Sequence, residues 1–318
     1  MVDKVSRIAL TGGTGFVGGC LFERCRTDSL SVLSLGRTAV AGSSSEHVFL
    51  DLGDASFDIE GSLRSVDVVI HCAARAHVMD ETLDDPLAAY LHFNTESTLR
   101  LASQASAAGV RRFVYLSSVK ALGESTRIDE PFSYDSPLAP EDDYGISKAR
   151  AEEGLREIAA RTGMEVTIIR PPLVYGCGVK ANFAAMMRLA GRNLPLPLAS
   201  VRNKRSMVAM DNLVDLIVTC ISHKDAGNQT FMVSDDADVS TSELLSAMTR
   251  AYGKKPRLLP CPPSLLSLGA GLLGKRAVAE RLLGSLRVDV EHTKRVLGWT
   301  PRVKLEDVLK EMVRDSVV

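Results

Sequence analysis

The chain has 318 residues, 45% of them hydrophobic, which allows one large or two modest domains with a sizeable core. Its net charge of −1 gives no electrostatic basis for binding nucleic acid. Six cysteines (Cys20, Cys25, Cys72, Cys177, Cys220 and Cys261) form no C-x-x-C pair, which argues against zinc and against a disulfide framework and for reduced thiols in a cytoplasmic protein.

In chain order, Val5 to Leu10 reads as a short apolar strand running into Thr11-Gly-Gly-Thr-Gly-Phe-Val-Gly18. The glycines break the apolar run at once, so no secretory leader is expected. Gly12, Gly15 and Gly18 have the spacing G-x-x-G-x-x-G. The first allows a tight turn, the second a close approach of backbone to a pyrophosphate, and the third lets the following helix pack on the strand. The helix start then offers free N–H groups and a positive dipole end to phosphates. This predicts dinucleotide binding.

Ser31 to Leu35 and Val48 to Leu50 read as the next strands, with Ala41 to Ser45 a short loop between them. Val66 to Ile70 is nearly continuous in apolar residues, as for a strand buried on both faces. Pro86 to Ala108 has helical periodicity, Arg112 to Leu116 is a strand, Asp143 to Arg161 a long helix, and Met164 to Ile169 a sixth strand. Such alternation predicts an α/β fold with a doubly wound parallel sheet. Beyond residue 172 prolines cluster and helices are shorter, which suggests a smaller substrate-binding lobe over 173–318. Residues of about 205–235 return to the sheet, with a strand at Thr230 to Val233. Thr241 to Tyr252 reads as a helix with Ser240 at its N-cap and Glu243 at its third position. Leu265 to Leu273 is too short to cross a bilayer. It reads as a core or lid helix, with membrane-surface contact as the lesser alternative because Lys275, Arg276 and Arg281 follow.

The second strand ends Leu33-Ser-Leu-Gly-Arg37. An acid there would hold the ribose of NAD; its absence, with Arg37 available to a 2′-phosphate, favours NADP, with NAD still possible. Asp51 and Leu52 follow the third strand and fit a place beside the adenine, with an ordinary strand-end Asp as the alternative. Tyr144-Gly-Ile-Ser-Lys148 puts a phenol and an ammonium on one helix face. The ammonium, with an oxidised nicotinamide, favours the phenolate. Ser117-Ser118 sits at a strand's carboxyl end, where ligands bind in such sheets.

With these motifs the chain resembles the extended short-chain dehydrogenase/reductase family, in its nucleotide-sugar epimerase, dehydratase and reductase branch. The likeness also rests on His71-Cys-Ala-Ala74, Asn94, Arg170-Pro-Pro-Leu-Val-Tyr-Gly176 and Leu297-Gly-Trp-x-Pro301. It implies a Rossmann-like domain over 1–172. It also implies a catalytic set of Ser118, Tyr144 and Lys148, with Leu122 where the branch usually has a tyrosine. By the same resemblance Phe16, Val17, Ala73, Ala74, Asn94, Pro171 and Val174 belong to the cofactor site. Asn182 and Arg205 match positions that contact the nucleotide diphosphate, and Lys120 either pairs with a substrate phosphate or is solvated. Dehydratases of the branch carry an Asp-Glu pair after the catalytic hydroxyl; here Val119 and Lys120 stand there, so dehydration is rejected. Ser117 to Glu124 and Leu282 to Asp289 look like reductases of UDP-4-keto-6-deoxy-N-acetylglucosamine that serve bacterial surface polysaccharide synthesis. The resemblance therefore implies reduction at C4 of the keto sugar by NADPH, with Ser118 orienting the carbonyl and Tyr144 donating the proton. A nucleotide-sugar 4-epimerase is the main alternative, and a non-catalytic NADP sensor a weaker one. The expected partners are a UDP-linked sugar and a second copy of the chain in a homodimer, with no metal and no transmembrane segment.

Overall fold

The computed structural model describes residues 5–40, 46–76, 85–272, 274 and 276–316. The expected loop at Ala41 to Ser45 lies outside the described residues, as do Leu273 and Lys275. The elements are β1 (Arg7–Thr11), α1 (Phe16–Thr27), β2 (Ser31–Gly36), β3 (His47–Phe49), α2 (Glu60–Leu63), β4 (Val68–His71), α3 (Pro86–Tyr90), α4 (Ser97–Ala107), β5 (Arg112–Leu116), α5 (Asp143–Thr162), β6 (Glu165–Arg170), β7 (Leu173–Tyr175), α6 (Ala181–Arg192), β8 (Met207–Ala209), α7 (Met210–Ser222), β9 (Gln229–Met232), α8 (Thr241–Ala251), α9 (Pro263–Leu272), α10 (Arg276–Leu283), α11 (Glu291–Leu297) and α12 (Leu305–Ser316).

Seven strands form one parallel sheet in the order β3-β2-β1-β4-β5-β6-β9. The order reverses between β1 and β4, which opens a crevice at the strands' carboxyl ends. Ile8, Leu10, Val68 and Ile70 are buried on the face covered by α1 and α7; Ala9, Val69 and Phe113 are buried on the face covered by α4 and α5. A strand enclosed on both sides has no polar face to show, which is why these segments read as unbroken apolar runs. This is the doubly wound architecture expected from the alternation of strands and helices.

The later half divides between two places. β7 and β8 pair as a second, two-stranded parallel sheet beside a core of α6, α8 and α12 built on Phe183, Met187, Leu245, Met248 and Leu309. Residues of α7 and β9 pack in the core of the large sheet, and so do Leu297 and Trp299. The Trp299 indole donates to Asp215 on α7 at 2.9 Å. The helix at Thr241 starts with the capping box expected of it: Ser240 accepts from the Glu243 amide and the Glu243 carboxylate accepts from the Ser240 amide. Two helical expectations need correction. The helix of residues 86–108 is interrupted by a π-helical turn over Leu91–Glu96. And α9 is not a core helix, because none of its residues is buried.

Candidate active site at the carboxyl edge of the sheet

The glycine-rich turn has the tightness its spacing requires. Gly12 sits at φ +74°, and its carbonyl accepts from the Gly15 amide at 2.8 Å. A Cβ on Gly12 would meet the Ala73 nitrogen at 2.7 Å, and one on Gly18 would meet the Gly12 carbonyl oxygen at 2.1 Å. Gly15 is the N-cap of α1, whose first turn holds no acid. The open helix end faces a cavity of about 400 Å³ along the carboxyl ends of β1, β2, β4 and β5. Its walls include Gly12, Gly15, Phe16, Val17, Gly18, Arg37, Asp51, Leu52, Ala73, Ala74, Tyr144 and Lys148. A cleft with a bare backbone cradle at a helix N-terminus fits a dinucleotide pyrophosphate. Gly18→Ala forces a backbone atom to move, so it is expected to lower stability by about 1–3 kcal/mol. It should also weaken nicotinamide binding at least about tenfold, both measurable by thermal unfolding and dinucleotide titration.

At the β2 end the cavity is bounded by Ser34, Leu35, Gly36, Arg37 and Thr38. Arg37 is exposed there and no carboxylate accompanies it on that strand end. Asp51 bonds the Gly53 amide at 2.9 Å, which organises its own turn.

Asn94 is buried and does not line the cavity; it acts behind the wall. Its amide accepts from the Arg75 nitrogen at 2.8 Å and donates to the Arg75 carbonyl at 3.0 Å and to Ser147 Oγ at 2.9 Å. It therefore ties the chain after β4 to α5 from within the π-helical turn. His71 adds a second tie. Thr98 gives its hydroxyl proton to the Asn94 carbonyl, so His71 Nε2 donates to Thr98 and Nδ1 accepts from Thr11 at 2.7 Å. Burial, helped by the Lys148 ammonium, pushes the His71 pKa down to about 3, so this imidazole stays neutral.

The tyrosine and lysine expected to carry the chemistry sit on α5. Asp142 caps the helix by accepting from the Gly145 amide at 2.7 Å. A Cβ on Gly145 would lie 2.4 Å from the Lys120 carbonyl, so only glycine lets α5 approach the turn after β5 this closely. That approach brings Tyr144 beside Ser118, whose hydroxyl partly offsets the rise in the phenol pKa; Ser118 itself does not line the cavity, whereas its neighbour Ser117 does. Burial first, then the Asp142 charge, hold the phenol above its ordinary pKa. Lys148 is buried. Its ammonium donates to the Leu116 carbonyl at 2.8 Å and lies 5.8 Å from the Tyr144 ring centre. Burial lowers its pKa to about 8. The lowering of the tyrosine pKa expected from the ammonium is thus not present in the protein alone, where desolvation dominates both groups.

One turn further, Glu152 is fully buried. It accepts from Ser117 Oγ at 2.6 Å and takes a two-point contact from Arg170, Nε at 3.0 Å and Nη2 at 2.7 Å. Ser117 lines the cavity. Neither Glu152 nor Arg170 was singled out by its chemistry in the sequence; the visible signal is the i, i+4, i+8 register of Tyr144, Lys148 and Glu152 on one helix.

Other expected ligands lie apart from the cavity. Pro171 and Val174 do not line it, although the Pro171 carbonyl accepts from the Val119 amide at 3.0 Å and so fixes the turn that carries Ser118. Asn182 is exposed in the first turn of α6. Arg205 Nη1 donates to the carbonyls of Arg281 at 2.8 Å and Gly284 at 3.2 Å, which ties that nitrogen to the chain end of α10. Lys120 is ion-paired: its partly exposed ammonium meets Glu124 at 2.6 Å and Asp142. Local sequence could not show these partners, which come from 4 to 79 residues away.

Residues 8–234 match the family described as NAD dependent epimerase/dehydratase. A UDP-glucose 4-epimerase of Vibrio cholerae is 47% identical over 308 residues, covering 96% of this chain and 93% of that protein. A UDP-glucose 4-epimerase of Mycolicibacterium smegmatis is 30% identical over 327 residues, covering 96% and 97%. The crystal structure of the Thermotoga maritima UDP-glucose 4-epimerase with UDP-glucose shares the fold, with a TM-score of 0.75 at 20% identity over 98% of this chain and 100% of that one. No described helix is long and apolar enough to cross a membrane. The glycine cradle, the switch-point cleft and these matches together show that the chain belongs to the NAD dependent epimerase/dehydratase family.

Proposed function

We propose that the protein is a nicotinamide-dependent UDP-sugar 4-epimerase. The observation that carries this reading is Tyr144 at the cavity wall, beside Ser118 and with Lys148 one turn along the same helix. The 47% identity to a UDP-glucose 4-epimerase supports it over reduction of a 4-keto sugar. A bound oxidised nicotinamide supplies a hydride acceptor for sugar C4 and a positive charge that favours the phenolate. Tyr144 takes the proton of the 4-hydroxyl and later returns it. Ser118, beside the phenol, orients that oxygen. Lys148 holds positive charge near the phenol below its pKa of about 8 and fixes α5 to the end of β5 through Leu116. The glycine cradle, Ala73 and Ala74 hold the dinucleotide, with Asn94 and His71 bracing the wall behind them.

The test is direct. An epimerase retains nicotinamide on purification and interconverts UDP-glucose with UDP-galactose, or the corresponding UDP-N-acetylhexosamines, without added reductant. Proton NMR of the sugar H4 reads the outcome. Stoichiometric oxidation of NADPH by UDP-4-keto-6-deoxy-N-acetylglucosamine, with no interconversion, would replace this reading by the 4-keto reductase. One observation favours that second reading: Arg37 stands at the end of β2, a strand that carries no carboxylate of its own among the described residues. If Arg37 reads a 2′-phosphate, Arg37→Ala weakens NADPH about tenfold or more and leaves NADH unchanged. Equal effects on the two cofactors support the epimerase reading with NAD.

A further inference from the structure

The helical hairpin α9–α10 carries the surface feature that the site chemistry leaves unexplained. It leaves the body of the protein at Leu259, which pairs with Leu196 and Ala199, and returns at Leu286, which pairs with Lys204 and Ser206. Between these anchors the two helices pack chiefly on one another. Leu265, Leu268 and Leu272 recur three and four residues apart, which puts them on one face of α9. That face is open: Leu268 is 62% and Leu272 82% exposed, and Leu259, Leu265 and Val278 are exposed with them. A groove of about 370 Å³ runs between the helices, bordered by Leu268, Leu272, Arg276 and Ala279.

Charge identifies the occupant. The chain as a whole carries −1, yet from Lys254 to Val288 there are seven basic residues and a single acid, Glu280. Arg276 and Arg281 are exposed on α10, Arg276 paired with Glu280 at 2.9 Å, and Lys254, Lys255 and Arg257 are exposed just before the hairpin, Lys254 bonded to the Gly191 carbonyl at 2.5 Å. We propose that this hairpin docks the enzyme on an anionic lipid bilayer, with the leucine face of α9 lying in the headgroup region and the basic residues on the lipid phosphates. An amphipathic helix flanked by Lys and Arg binds membranes in this way. A helix of ten residues is about 15 Å long, half of a hydrocarbon core, so it lies in the surface and does not span. A second copy of the chain fits the patch poorly. A two-fold interface sets identical faces together, and here it would bring the arginines and lysines of both copies against each other.

The experiment is flotation of the full-length protein with vesicles of phosphatidylcholine alone and of phosphatidylcholine with phosphatidylglycerol. Binding is expected on the anionic vesicles only, and it should fall as salt screens the attraction. Leu268→Ser with Leu272→Ser, and separately Arg276→Glu with Arg281→Glu, are each expected to weaken it about tenfold or more. All four side chains are exposed and none lines the nucleotide cavity, so folding and sugar turnover should stay at the level of the parent, and both are measured alongside. Absence of binding to anionic vesicles, or binding that both variants leave unchanged, overturns the proposal. So does a variant-sensitive self-association seen by sedimentation without any vesicle binding.

Discussion

Tyr144→Phe is expected to lower kcat by about a thousandfold while leaving nicotinamide bound, because it removes a proton donor and acceptor and little else. The ring keeps its edge-on packing against Tyr90, 6.2 Å between centres, and its place beside Lys148. Only the hydroxyl is lost, and with it the influence of Ser118 on the phenol. The phenol is held above its ordinary pKa by burial and then by Asp142, so in the protein alone it is neutral at physiological pH. On the proposed mechanism the oxidising half of the cycle needs the phenolate. Turnover should therefore rise with pH across the neutral range and fall off toward acid in the parent, a dependence missing from the residual activity of Tyr144→Phe. The check is kcat and KM against pH with cofactor occupancy measured on the same sample. A kcat within tenfold of the parent, with cofactor in place, would remove Tyr144 from the mechanism.

The largest loss of stability is expected from Glu152→Leu, about 3–5 kcal/mol, because it strands the guanidinium of Arg170 in the core without its counter-charge. Glu152 and Arg170 are each about fully buried. The carboxylate has four donors: both contacts of Arg170, Ser117 Oγ and Arg156 Nη2 at 2.9 Å. Burial pushes its pKa up, and the hydrogen bonds and charge of Arg170, with Ser117 and Arg156, outweigh that and hold it below the ordinary carboxylate value. The sign follows from linkage. The stabilisation is fully present above the unfolded-state pKa of a glutamate and is lost as pH falls through the lower folded-state value. Acid unfolding of the parent should accordingly include this group, and the Glu152→Leu protein should lose that part of its acid sensitivity. Glu152→Leu combined with Arg170→Leu should be more stable than Glu152→Leu alone, since no charge is then left buried and unpaired. Denaturant unfolding of the three variants measures this. A double variant as unstable as the sum of the two single ones would show that the pair is not an electrostatic unit.

The same network links stability to function. Tyr144, Lys148 and Glu152 rise in register along α5, and Glu152 pins that helix to the ends of β5 and β6 through Ser117 and Arg170. The reactive groups are thereby held by a rigid, fully bonded layer beneath the cavity.

Much of this protein is written in short stretches of its sequence. The glycine spacing, the buried apolar strands, the capping box at Ser240 and the Tyr144–Lys148 pairing each depend on residues within one turn or one strand of each other, where sterics and periodicity act directly. The doubly wound sheet follows from the alternation of those stretches. What only the tertiary structure decided are partnerships between distant segments. Lys120 pairs with Asp142 because glycine at 145 lets α5 come close, and Arg205 bonds the carbonyls at the end of α10. Asn94 sits in a π-helical turn and braces Arg75 and Ser147. The apolar stretch beginning at Leu265 faces outward. A charged or amide side chain carries the same local signature whether it awaits a ligand or satisfies a neighbour, and only packing, which sets burial and the nearest opposite charge, chooses between the two.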